Sequence, residues 1–180
     1  MRTLRLLVLI HFTCLIASAQ HHQKLTPLSV CEVIENRLSL HGKMIELRGE
    51  ERAGGHGSYL IPDSDCAFSL MTNGVKWRNV IFLTYPNIRL QAEFGYTDFK
   101  TDMNSIEQSL NEVKRAGYNP AKDRIITTYS GLFLTYFDLE KRVNPRIPEM
   151  HNLGFGPPGL NSPAQLLIKG KQNTTILRSK

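Results

Sequence analysis

The chain lacks the short motifs that announce a familiar chemistry. HExxH, the GxxxxGK[ST] phosphate loop, GxSxG and CxxC are all missing. That excludes zincin-type hydrolysis, P-loop nucleotide binding, α/β-hydrolase chemistry and thioredoxin-type exchange in their usual encodings. The glycines from Gly154 to Gly159 do not make a phosphate cradle, because Pro157 and Pro158 interrupt them and no Lys-Ser/Thr follows; they read as a turn. Past the first 20 residues no apolar run approaches the roughly 20 residues that a membrane-spanning helix requires. Cysteine is scarce, with three in the chain, and tryptophan occurs once, as Trp77.

The first of those cysteines, Cys14, belongs to a segment with the three parts of a secretory signal. Arg2 and Arg5 supply the positive start, Leu4 to Ile16 is largely apolar, and Ala17-Ser18-Ala19 offers small residues before a cleavage site. Thr13 stands where a lipoprotein signal needs a small residue before its cysteine, so Cys14 reads as one more apolar residue of the signal. The expected organisation is a signal peptide over 1–19, a linker over 20–27, and a single domain with a basic tail over 28–180. The expected location is secreted or periplasmic. Cys31 and Cys66 then remain as an even pair in an exported chain, which most simply means one disulfide.

Charge is uneven along the chain. From Lys141 onward seven basic residues face one acid, Glu149, whereas the preceding part of the expected mature chain is slightly acidic. Lys169, Lys171, Arg178 and Lys180 are therefore candidates for anion binding, against the plainer reading of a solvated strand and tail.

Local patterns outline a small α+β domain. Ser29 and Glu32 form a capping-box pair ahead of Val30, Ile34 and Leu38, and Gly42 follows as a stop, predicting a helix over about 30–40. Lys43 to Arg52 alternates, with Ile45 and Leu47 on one face, and Gly49 marks a bulge or bend. Ser58–Ile61 and Trp77–Tyr85 read as the second and third strands, with Trp77, Asn79, Ile81 and Leu83 on the core face. Ile106, Leu110 and Val113 carry a helix. Arg124–Phe137, bent at Gly131, and Gln165–Lys169, extendable through Thr174–Leu177, complete the strands. Three strands, a helix and two strands is the order of an OB-like, five-stranded, partly open barrel, here with an added N-terminal helix.

Several stretches of the sequence together resemble a group of uncharacterised bacterial exported proteins: Ser29–Val33, His41-Gly42-Lys43 leading into Ile45–Gly49, Asp65-Cys66, Trp77–Ile81, Gly154–Gly156 and Pro163–Leu166. The likeness runs over about 28–171 and implies an OB-like domain with the two cysteines paired. It carries no assigned activity and hence no catalytic residues. Pro157-Pro158 replaces a His-containing turn in that pattern.

Few constellations could carry chemistry. Asp63 and Asp65 sit in a turn and read as turn formers before calcium ligands. His41 and His56, both beside glycine, read as surface residues. Tyr59, Trp77, Phe82 and Tyr85 could stack bases on a barrel face, although alternation sends Trp77 to the core. Cleavage before Gln20 would expose Gln20-His21-His22, whose amine, amides and third-position imidazole suit square-planar Cu(II) or Ni(II); cyclisation of Gln20 would remove the amine. No cofactor is called for. The expectation is a non-catalytic binding or interaction module of the cell envelope, meeting an envelope protein or a polyanion. The rival is a small secreted nuclease-like hydrolase using barrel-face acids and arginines.

Overall fold

A computed structural model describes residues 26–54, 57–87, 94–95, 99–142, 154–156 and 160–178. The expected signal peptide, Gln20-His21-His22, His56, Pro157-Pro158 and Lys180 lie outside the described residues. In chain order the elements are β1 (Leu28–Ser29), α1 (Val30–Glu35), α2 (Arg37–Leu40), β2 (Met44–Gly54), β3 (Gly57–Ile61), β4 (Met71–Thr72), β5 (Val75–Lys76), β6 (Ile81–Thr84), α3 (Met103–Arg115), β7 (Asp123–Thr135) and β8 (Ala164–Arg178).

The protein is mainly β, and its strands pair around a ring. β2 pairs antiparallel with β3, β3 with β6, β6 runs parallel to β8, β8 returns antiparallel to β7, and β7 pairs with β2. β1 lies parallel to β2 at Leu47 and Arg48, alongside the part of β2 that precedes its pairing with β3. Closing the ladder leaves fewer open strand edges for unwanted pairing. β4 and β5 form a separate small hairpin, turned by Asn73 and Gly74, both at positive φ.

The helical entry is capped as its sequence indicates. Ser29 Oγ accepts from the Glu32 amide, while Glu32 Oε2 accepts from the Ser29 amide at 2.7 Å. That bond holds the Glu32 carboxyl below its ordinary pKa. The single helix expected to Leu40 is instead two. Asn36 Nδ2 donates to the Glu32 carbonyl at 2.9 Å, and its own backbone leaves helical geometry at φ −96°, ψ 16°. A short amide side chain competes here with the helical ladder.

Gly49 makes no bulge. A Cβ there would stand 2.7 Å from the Ile61 carbonyl oxygen and 2.9 Å from Val30 Cγ2, so this glycine lets α1 close onto β2 and β3. Val30, Val33 and Ile34 are thereby buried with Leu47, Leu60 and Ile81. Cys31, in the first turn of α1, bonds Cys66 with their Cα atoms 5.5 Å apart, fixing the helix to the segment that follows β3.

The expected third strand shortens to Ile81–Thr84. Trp77 remains core, 1% exposed, but it is held outside the ladder: its amide donates to the Leu70 carbonyl and its indole Nε1 to Thr72 Oγ1 at 3.1 Å. β8 is one 15-residue strand rather than a short strand with an extension. Its pairing with β7 slips twice, between Ile126 and Thr128 and between Ser130 and Gly131. At the second slip Gly131 faces Ile168 while Ser130 faces Gly170, leaving Lys169 as the extra residue. Gly131 must be glycine, because a Cβ would overlap the Leu167 carbonyl oxygen.

α3 lies on β8. Its N-terminal end is pinned by Asp102 N to the Lys169 carbonyl and by Thr101 Oγ1 to the Ile168 carbonyl. Ile106, Ser109 and Val113 form its buried face. Leu110, expected in that face, is 45% exposed, because Ser109 takes the inner position to bond Thr174, which also bonds Thr127.

Candidate functional site

Period-two alternation along β2 buries Ile45 and Leu47 and puts Glu51 at the next-but-one inward position after Leu47. An acid on that face needs a partner, since burying an unpaired carboxylate costs far more than a strand can recover. The partner comes from β8. Lys171 would share the outward parity of Lys169 in a regular strand, but the extra residue at Lys169 reverses the alternation and turns Lys171 inward. Its Nζ lies 2.6 Å from Glu51 Oε2, with the Lys171 side chain 2% and that of Glu51 14% exposed.

Tyr129 completes the group. It stands directly opposite Lys171 in the β7–β8 ladder, so the ammonium lies over its ring, 5.3 Å from the centroid, a favourable cation–π placement. Its hydroxyl donates to Glu51 Oε1 at 3.0 Å. Burial first, and the neighbouring Glu51 charge second, push the Tyr129 phenol far above its ordinary range, so it stays a donor. The phenol thus has a higher pKa folded than unfolded. Stability from it is whole below the unfolded value of about 10 and declines above it by about 1.4 kcal/mol per pH unit. Thermal melts from pH 9.5 to 11.5 should therefore fall more steeply for the native chain than for Tyr129→Phe; parallel slopes would contradict this burial.

Glu51, Tyr129 and Lys171 form one wall of a cavity of about 370 Å³ between the ring and α3. The other walls are mostly apolar, led by Phe82, Leu83, Ile106, Leu110 and Ile168, with Tyr85 at the boundary. A second cavity, about 540 Å³, is lined by Tyr85, Pro86, Phe99, Thr101 and Met103, with Lys100. Tyr85 is common to both.

The other candidate residues fall elsewhere. Lys169 is exposed, and Arg178 is exposed while donating to the Ala116 carbonyl beside Asp123. Lys171 does not join them on the surface. Asp63 pairs with Arg48 at 3.3 Å, and Asp65 is exposed without joining a cluster: among the described residues no three His, Cys, Asp or Glu side chains are grouped to hold a metal. His41 is half-buried rather than on the surface; its Nδ1 accepts from the Thr135 amide at 3.1 Å and its ring packs on Phe137. Of the aromatic residues on the early strands, Phe82 and Tyr85 line the cavity.

Acid and arginine do meet on the outer face. Glu50, 1% exposed, is ion-paired with both Arg52 and Arg124. Its two oxygens are each ion-paired with a guanidinium, and none of the three residues lines the cavity.

In the sequence Lys171 stands out only as tail charge, and no motif marks Glu51 or Tyr129. The legible signal was the doublet Glu50-Glu51: in an alternating strand one of two adjacent acids must face inward. Comparison with family models, curated proteins and solved structures finds no match to this chain.

Proposed function

We propose that the protein is an exported, non-catalytic binding module with an OB-like barrel, and that its ligand occupies the cavity over Glu51, Tyr129 and Lys171. The barrel reading is supported by the ring order of the strands, with β6 parallel to β8 and α3 between β6 and β7. Export is supported by the Cys31–Cys66 bond, a feature of oxidising compartments.

One observation carries the binding reading: a buried, paired ammonium lines a mostly apolar cavity. A few placed polar groups in an apolar concavity are the usual make-up of a small-molecule site. The hydrolase alternative is weaker, because the acid–arginine cluster at Glu50 lies away from the cavity.

Titration with 1-naphthol, an apolar bicycle with one hydroxyl, tests the site. Amide resonances of Gly57, Ser58, Thr84, Ile106 and Lys171 should shift together and saturate, while those of Gly42 and Leu70 stay still. No saturable shift, or shifts spread over the whole domain, would count against the cavity as a binding site.

A further inference from the structure

We infer that the cavity takes a neutral, elongated amphiphile whose hydroxyl or carbonyl head accepts a hydrogen bond from Lys171 and whose apolar tail crosses Tyr85; this rests on the binding reading above.

The head follows from a valence count. A lysine ammonium carries three donors and no acceptor. Glu51 Oε2 takes one, and the Tyr129 ring centroid lies 5.3 Å from the ammonium. Among the described residues no other side chain or carbonyl accepts from it. Glu51 accepts from Tyr129 on one oxygen and from Lys171 on the other, and each oxygen keeps a lone pair to which a hydroxyl head can also donate. Lys171 therefore offers a donor in the cavity wall, which an acceptor on the ligand can take.

Neutrality follows from the same pair. Glu51 already cancels the Lys171 charge at 2.6 Å. A carboxylate head on Lys171 would stand close to the Glu51 carboxylate between apolar walls, where like charges are poorly screened. An ammonium head would face the like charge of Lys171 between the same apolar walls. A hydroxyl or carbonyl meets neither charge.

The tail follows from the surface around the cavity. Of the eight exposed large apolar side chains among the described residues, three, Tyr85, Met103 and Leu110, at 49%, 49% and 45%, sit together on the walls of the two cavities. Large apolar side chains gathered at a cavity rim mark a contact surface. Tyr85 joins the cavity over Lys171 to the one lined by Pro86, Phe99 and Met103, so a chain anchored at Lys171 has an apolar path outward.

The test compares three probes of equal length, 1-octanol, octanoate and octylammonium, with the short alcohol 1-butanol, by NMR titration at pH 7. 1-Octanol should bind at least tenfold more tightly than either ion and than 1-butanol. Tyr85→Ala should weaken 1-octanol several-fold more than it weakens 1-butanol. In Lys171→Met with Glu51→Gln, the discrimination between alcohol and ions should collapse. Octanoate or octylammonium binding as tightly as 1-octanol, or 1-octanol binding no better than 1-butanol, would overturn this ligand class. If 1-naphthol still shifts the cavity residues, only the ligand class falls; if neither 1-naphthol nor any octyl probe binds there, the binding reading falls with it.

Discussion

Lys171→Met is expected to cost about 3–5 kcal/mol of stability, the usual penalty for leaving one member of a buried ion pair without its partner. Lys171 and Glu51 are nearly removed from water, so the orphaned Glu51 carboxylate would keep its desolvation cost without the compensating attraction. Tyr129 would continue to donate to it, offsetting part of the loss. Adding Glu51→Gln should recover most of the stability. The glutamine oxygen can still accept from Tyr129, no buried charge remains, and methionine fills much of the volume of the lysine stem. The double variant should lie within about 2 kcal/mol of the native chain by urea denaturation, since replacing a buried pair with neutral groups of like size is often near neutral. A single variant as stable as the native chain would mean that Lys171 is solvated. A double variant as unstable as the single would mean that packing, not charge, dominates there.

The second large effect concerns the tie between α1 and the ring. Cys31 and Cys66 are 35 residues apart in sequence. Closing a loop of that size in the unfolded chain is worth roughly 3.8 kcal/mol by chain entropy. Against a domain stability of about 5–15 kcal/mol, Cys31→Ala removes a large fraction. The expected result is a clear fall in the urea midpoint of the oxidised protein, with the native chain falling to match under reducing conditions. α1 would still bury Val30, Val33 and Ile34, so the variant should fold. Equal midpoints for the oxidised native chain and Cys31→Ala would contradict this role.

Much of the β architecture was readable because its residues obey simple periodicity. Ile45 and Leu47 announce the inner face of β2, and the Ser29–Glu32 capping box announces the start of α1. The cysteine pair follows from there being two cysteines beyond the expected signal. The sequence was silent where one residue breaks the period. The extra residue at Lys169 reverses the parity of β8, so Lys171 moves inside although its spacing from Lys169 places it outside. Asn36 divides a helix that the apolar spacing alone would continue. Gly49 looks like a bulge from within its own strand, and only the approach of α1 explains it. Trp77 was legible as core, yet its departure from the β6 ladder depends on the small hairpin that supplies Thr72. The candidate site was the least legible part, since Glu51, Tyr129 and Lys171 come from three strands and meet only through the ladder register.

A crystal structure of the protein soaked with 1-naphthol tests the central claim most directly, because the account places the probe at one atom. The naphthol oxygen should lie about 2.7–3.2 Å from Lys171 Nζ, with its rings among Phe82, Leu83 and Leu110 and the Lys171–Glu51 pair intact. Naphthol bound elsewhere with this cavity empty, or Lys171 turned out to solvent and parted from Glu51, would contradict the account.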